Sequence, residues 1–156
     1  MHYEIKELPA VRVAYLRYKG PFGVALGEFW KEVFTPWTKA YGLVNKVTYG
    51  VAQDDPSTTP ANECRYDACV EVSAEYPVKA PAQEGQLAAG RYAVAQFKGT
   101  AGDIGAAWSA LMAQLHSEGK AAAGACYERY PADGVMDPAT GIFDAELCVP
   151  LSSPQA

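Results

Sequence analysis

Glu146 is the first residue whose type and position point to chemistry, because it places a carboxylate in the middle of a strand-like segment. Side chains alternate between two faces along a strand. Glu146 therefore shares one face with Asp144 and Cys148, while the opposite face, with Ala145 and Leu147, is apolar. On a wet face such a glutamate is an ordinary solvated residue, but in an aromatic cleft it is an anion that needs a partner. An organic cation would be a suitable ligand.

The chain is rich in aromatic residues that could line such a cleft, with ten Tyr, five Phe and three Trp. An aromatic ring attracts an organic cation by about 0.5–2 kcal/mol, depending on desolvation. The candidate ligand-binding residues besides Glu146 are Tyr15, Trp37, Tyr49, Tyr92 and Tyr127. Trp30 and Trp108 fall within helical patterns, and we expect both in the core. Trp37 is expected at the rim of the cleft.

Other reactive side chains are few, and their spacing does not favour a metal or nucleophilic site. The chain has four Cys without a Cys-x-x-Cys pair, and two His. In a reducing compartment such Cys residues are typical small core residues. His116 is the basic residue that could activate a thiol, and we expect no such role. We predict no metal, no cofactor and no catalytic residues; in an enzyme, Glu146 would be the general base, assisted by Tyr127.

Two halves of the sequence repeat one pattern. Residues 12–20 return as residues 91–99, with Arg, Ala, Lys and Gly conserved at an offset of 79. A Trp recurs in each helical pattern at an offset of 78, and Tyr-Asp-Ala at 66–68 is echoed by Phe-Asp-Ala at 143–145, at an offset of 77. The offset between matching residues changes by only two positions, from 79 to 77, which favours duplication of one supersecondary unit. A ligand can bind between two such copies.

The repeat also gives Glu146 a counterpart. At the offset of 77, Glu146 occupies the position of Cys69, so the carboxylate is present in one copy only. We interpret the shared residues as scaffold and the differing pair as a pointer to the site.

Each half is predicted to form a β-α-β-β unit. The strand patterns cover 3–8, 11–19, 47–53, 65–72, 87–98, 125–130 and 142–151, and the helical patterns cover 23–40 and 104–118. Pro36 should kink the first helix or end it early. We predict an α+β fold, a tandem β-α-β-β repeat that forms one antiparallel-rich curved sheet with two helices on one face and a cleft on the other. It is one domain over 1–156, with repeat one at about 3–73, a linker at about 74–86 and repeat two at about 87–151.

Length and charge exclude several classes of protein. A chain of 156 residues with 49% hydrophobic content suits one globular domain. The net charge of −5 and the scattered basic residues disfavour direct nucleic-acid binding. No apolar run approaches the roughly 20 residues that span a bilayer, and the first residues lack a signal-peptide pattern. We expect a cytoplasmic protein without a membrane partner.

Several short motifs, in their order and spacing, resemble the GyrI-like family. They are Tyr3-Glu4-Ile5-Lys6, Gly20-Pro21-Phe22, Asp54-Asp55-Pro56, Arg65-Tyr66-Asp67, Gly90-Arg91-Tyr92, Tyr127-Glu128-Arg129-Tyr130 and Glu146-Leu147-Cys148-Val149-Pro150. That family includes a free-standing DNA gyrase inhibitory protein and the effector-binding domains of AraC-type and MerR-type multidrug regulators. The resemblance implies a cleft for hydrophobic, often cationic, small molecules between two β-α-β-β halves. It places the family's acidic residue at Glu146 and its aromatic wall at Tyr127, Tyr15 and Trp37.

Three functions remain open from the sequence. Binding of a hydrophobic, cationic small molecule, for sequestration or sensing, is favoured by Glu146, by the aromatic residues and by the resemblance. Hydrolysis of reactive electrophilic compounds is an alternative, because some free-standing relatives hydrolyse cyclopropane-bearing genotoxins. Inhibition of DNA gyrase through protein contact is the other alternative. The chain shows no helix-turn-helix segment, so we do not expect it to be a regulator by itself.

Overall fold

Eight strands form one antiparallel sheet in the computed structural model, which describes residues 1–134 and 136–152. The strands are β1 (Glu4–Leu8), β2 (Val11–Lys19), β3 (Thr48–Ala52), β4 (Arg65–Glu71), β5 (Gln83–Leu87), β6 (Gly90–Gly99), β7 (Tyr127–Tyr130) and β8 (Phe143–Pro150). Their order across the sheet is β1-β6-β8-β7-β3-β4-β2-β5. Position 135 of a predicted loop and positions 153–156 of the predicted domain lie outside the described residues.

A helical segment follows β2, and a second follows β6. The first runs without interruption through α1 (Val24–Phe29), a π-helical turn (Trp30–Phe34) and α2 (Thr35–Ala40); the second is α3 (Ile104–Ser117). Proline lacks the backbone N–H and is tolerated in the first turn of a helix. Because the π-helical turn ends directly before α2, Pro36 falls in that first turn. Pro36 therefore distorts the helix and does not end it.

The two halves exchange their first strands. β1 pairs with β6 of the second half, and β5 pairs with β2 of the first half. β5 begins at Gln83, so the end of the segment expected as a linker forms an edge strand instead. Each half is thus β-β-α-β-β, and the complete sheet needs both halves.

Alternation of side chains along the strands places both helical segments on one face of the sheet. α3 packs on apolar residues of β6 and β8, and the first helical segment packs on those of β2 and β4. These two clusters share no strand, so each half has its own helix-covered core. The predicted α+β class, with an antiparallel curved sheet and helices on one face, is confirmed.

The face without helices carries a third core cluster. Its buried residues come from seven strands and are Val13, Tyr49, Val51, Cys69, Leu87, Tyr92, Val94, Tyr127 and Cys148. Because none of the described helices contributes to this cluster, the curl of the sheet itself must bury these side chains. The face on which we expected the cleft is therefore filled by packed residues. None of the helices in the described part of the chain is both long and apolar enough to cross a bilayer.

Candidate ligand-binding site

The register of the sheet corrects the alignment of the two halves. Arg17 of β2 pairs with Asp67 of β4, and Gln96 of β6 pairs with Glu146 of β8. Arg17 and Gln96 are 79 positions apart, and so are Asp67 and Glu146. The counterpart of Glu146 is therefore Asp67, and not Cys69 as the offset of 77 predicted. Because both halves carry a carboxylate here, the asymmetry that singled out Glu146 disappears.

A different pair breaks the repeat at the centre of the sheet. Tyr49 of β3 and Tyr127 of β7 pair with equivalent cysteines of β4 and β8, so the two tyrosines are counterparts. The next residues along the chain, Gly50 and Glu128, are then counterparts as well, and they pair directly with each other. One half contributes a carboxylate where the other has no side chain.

Glu128 lies on the helix-covered face, where it is only 9% exposed. Its Oε1 accepts hydrogen bonds from the hydroxyls of Tyr66, at 2.8 Å, and Tyr130, at 2.7 Å. Its Oε2 accepts one from Nε1 of Trp108, at 2.8 Å. Across residues 1–134 and 136–152, no Lys, Arg or His forms an ion pair with Glu128. Three neutral donors therefore hold a buried anion that has no cationic partner.

Aromatic rings surround this carboxylate. The Trp30 ring meets the ring of Tyr130 edge-on, with centroids 5.6 Å apart, and that of Tyr66 with centroids 6.2 Å apart. The ring of Phe22 also meets Tyr66 edge-on, with centroids 5.8 Å apart. Trp30 and Trp108 pack against the two helix-covered cores, as expected, but both are half-buried. They extend from the two helical segments and present partly accessible ring surface beside the carboxylate.

The two tyrosine donors remain protonated. Burial first, and the negative charge of Glu128 second, raise the pKa of Tyr66 and of Tyr130 well above the ordinary value near 10. Both hydroxyls therefore keep their protons throughout the physiological pH range and continue to donate to Glu128.

Glu146, the predicted acidic residue of the site, lies on the helix-free face. It accepts a hydrogen bond from Nε2 of Gln96 at 2.8 Å and forms an ion pair with Nη1 of Arg129 at 3.1 Å. Its side chain is 23% exposed. A cation of the protein therefore already compensates this carboxylate, in contrast to Glu128.

The predicted aromatic residues lie in three different places. Tyr49, Tyr92 and Tyr127 pack together in the helix-free core, and the Tyr127 centroid is 5.5 Å from each of the other two. Burial raises the pKa of Tyr49 to about 12. Tyr15 is half-buried at the margin of the same cluster, and its hydroxyl donates to Gln83.

Trp37, predicted at the rim of a cleft, packs in the helix-covered core of the first half. Its ring centroid is 5.9 Å from that of Phe34 and 5.6 Å from that of Tyr41. The structure thus does not gather the predicted residues around Glu146.

Sequence reasoning missed Glu128, Tyr66 and Tyr130 as candidate site residues. The signal was present in the alternation of residues 127–130, which places Glu128 and Tyr130 on the face opposite Tyr127. Aligning Tyr49 with Tyr127 would also have exposed the difference between glycine and glutamate at the next position.

Comparison with known proteins places the chain among ligand-binding domains. The sequence profile of the GyrI-like small molecule binding domain matches residues 1–152. YosT, named as a transcriptional regulator derived from the SPbeta prophage of Bacillus subtilis (strain 168), is 37% identical over 116 residues, which are 74% of this chain and 78% of that protein. DNA gyrase inhibitor 1 of Dickeya dadantii (strain 3937) is 26% identical over 156 residues, which cover 97% and 99% of the two chains.

Among solved structures, SAV2435 bound to tetraphenylphosphonium superposes with a TM-score of 0.69 at 14% identity. The match covers 98% of this chain and 95% of that chain. At this identity the likeness shows a shared fold.

Proposed function

The chain belongs to the GyrI-like small molecule binding family, and we propose that it binds hydrophobic organic cations at Glu128. The observation that carries this proposal is the buried carboxylate that accepts from three neutral donors and, among the residues that the structure describes, pairs with no Lys, Arg or His. A ligand that enters between the two helical segments would bring the missing positive charge close to Glu128.

The low exposure of Glu128 makes its charge effective. Two opposite unit charges 5 Å apart attract each other by about 3 kcal/mol at an effective dielectric constant near 20, and by less than about 1 kcal/mol in bulk water. Glu146 offers much less to a ligand, because Arg129 already neutralises it.

The hydrogen bonds at Glu128 favour a particular kind of cation. Oε1 already accepts two hydrogen bonds and Oε2 accepts one. A primary ammonium ligand would have to compete with these donors, whereas a quaternary ammonium or phosphonium ion has no N–H to place. The half-buried rings of Trp30 and Trp108 can contact the apolar groups of such an ion. The tetraphenylphosphonium ligand of SAV2435, which shares the fold, is of this class.

Isothermal titration calorimetry with tetraphenylphosphonium tests the proposal, with neutral triphenylphosphine oxide as the comparison compound. We expect Glu128→Gln to weaken phosphonium binding by about 10–100-fold, since most of the charge attraction is lost, and to change oxide binding by less than about twofold. The control Glu146→Gln should stay within about twofold for both compounds, and circular dichroism checks that each variant folds. An equal loss in both variants, or none in Glu128→Gln, contradicts the proposal. Mass spectrometry of the recovered ligand distinguishes binding from hydrolysis.

Inhibition of DNA gyrase is a second candidate, supported by the 26% identity to DNA gyrase inhibitor 1 over nearly the whole chain. A supercoiling assay with purified gyrase tests it. Inhibition by equimolar protein would support this candidate, and full supercoiling at a large excess of the protein would remove it.

A further inference from the structure

Gly50 lies directly beside Glu128 at the centre of the sheet. It pairs with Glu128 on β7 and with Ala68 on β4. It is also the counterpart of Glu128 in the other half, so the approximate twofold relation between the halves passes between these two residues. A side chain at position 50 would point to the helix-covered face, as that of Glu128 does.

Space, and not backbone conformation, requires glycine at this position. Gly50 does not have a positive φ, so its backbone conformation is open to other residues. A Cβ atom at position 50 would lie 1.7 Å from the hydroxyl oxygen of Tyr66, 2.6 Å from its Cζ and 2.8 Å from Oε1 of Glu128. The hydroxyl end of the Tyr66 ring therefore lies over Gly50, in the space that the side chain of any other residue would fill.

We propose that Gly50 is a positioning residue of the cation site. Because Gly50 has no side chain, the hydroxyl end of Tyr66 can lie close to β3 and donate to Oε1 of Glu128. In this position the ring leaves the space beside the Glu128 carboxylate free for a ligand. A methyl group at position 50 would lift the ring into that volume and break the hydrogen bond. This inference rests on the proposed function, because it concerns the same site.

A double-mutant cycle on Gly50→Ala and Tyr66→Leu tests the inference, with tetraphenylphosphonium affinity and thermal unfolding as the two measurements. Gly50→Ala should weaken phosphonium binding at least tenfold in the wild-type background. In the Tyr66→Leu background, where the obstructing ring is gone, the same change should weaken it less than threefold. Gly85→Ala is the matched control, because Gly85 also lies under a tyrosine ring, with Cε1 of Tyr15 at 3.0 Å from the added Cβ. This control should lower stability and leave affinity within twofold.

The outcomes separate this inference from the proposed function. If the wild type does not bind the phosphonium ion, the proposed function fails. If the wild type binds and Gly50→Ala has the same affinity, or loses the same factor in both backgrounds, the positioning role is wrong while the proposed function stands. Should Gly50→Ala fail to fold, folding of the double variant would support the contact between Gly50 and Tyr66, and its failure to fold would overturn it.

Discussion

Replacing Tyr66 by Phe tests the hydrogen bonds that hold Glu128. The change removes a buried hydroxyl donor 2.8 Å from Oε1 and keeps the ring. A hydrogen bond to a charged group contributes about 1.5–3 kcal/mol to stability. We therefore expect the variant to be less stable by about 2 kcal/mol at pH 8, which lowers the melting temperature of a domain of this size by about 4–8 °C.

The same hydroxyl makes the stability difference depend on pH. The pKa of Tyr66 is raised well above 10 in the folded protein, so the resulting stabilisation is fully present below the unfolded value near 10 and is lost as the pH rises beyond it. Above pH 10 the wild type loses about 1.4 kcal/mol per pH unit through this group, and the Phe variant does not. The deficit of the Phe variant should therefore shrink as the pH rises above 10.

Urea unfolding, followed by circular dichroism at half-unit steps from pH 8 to 11.5, measures this convergence. All other ionising groups are common to both proteins, so the effects of those that do not interact with Tyr66 cancel in the difference; Glu128 and Tyr130 do interact with it. Leu115→Val is the control, because Leu115 of α3 is 1% exposed, packs against apolar residues of β6 and β8 and does not titrate. Its deficit of about 1 kcal/mol should stay constant with pH. A constant deficit for Tyr66→Phe, or none at pH 8, would refute the role assigned to this hydroxyl.

Two further substitutions separate the faces of the sheet. Trp108→Phe removes the N–H donor to Oε2 of Glu128. We expect the free energy of unfolding, measured by thermal unfolding, to fall by about 1–2 kcal/mol and the affinity for tetraphenylphosphonium to weaken. Unchanged stability and affinity would argue against this contact. Asp67→Asn removes the charge of the ion pair with Arg17 and replaces one of the two carboxylate oxygens that accept from Arg17, at 2.7 and 3.0 Å, by an amide NH2. The change is expected to cost about 1–3 kcal/mol, because Asp67 is 4% exposed but the Arg17 side chain is 40% exposed. Since Asp67 lies on the helix-free face, phosphonium affinity should stay within about twofold, and a larger loss would place the ligand there.

Strand alternation and the duplicated segment at 12–20 and 91–99 were sufficient to predict the α+β class, the antiparallel sheet and the helices on one face, but not the exchange of strands between the halves. From the sequence we interpreted a carboxylate present in one copy only as a pointer to the site, and took it to be Glu146; by the strand register, Glu128 is the carboxylate that faces a residue without one. Identifying that carboxylate required the strand register. An offset of 77 and one of 79 differ by two positions, which keeps every side chain on the same face and so leaves no trace in the hydrophobic pattern.

The exchange of β1 and β5 could not be predicted from local patterns either. Gln83 begins a strand without β-branched residues, in a segment with two Pro, two Gln and one Gly that is typical of a linker. Pairing with β2 makes it a strand. Likewise, the polar residues on the helix-free face led us to expect a cleft that is accessible to solvent. The burial of Tyr49, Tyr92 and Tyr127 on this face depends on the curl of the sheet, which local sequence patterns do not show.

The position of a bound cation tests most directly whether organic cations bind at Glu128. Tetraphenylarsonium has the shape and charge of the phosphonium ion, and its arsenic atom can be located by anomalous scattering in a co-crystal. We predict an arsenic peak within about 6 Å of the Glu128 carboxylate, between Trp30 and Trp108. A peak beside Glu146 on the helix-free face, with none near Glu128, would contradict it.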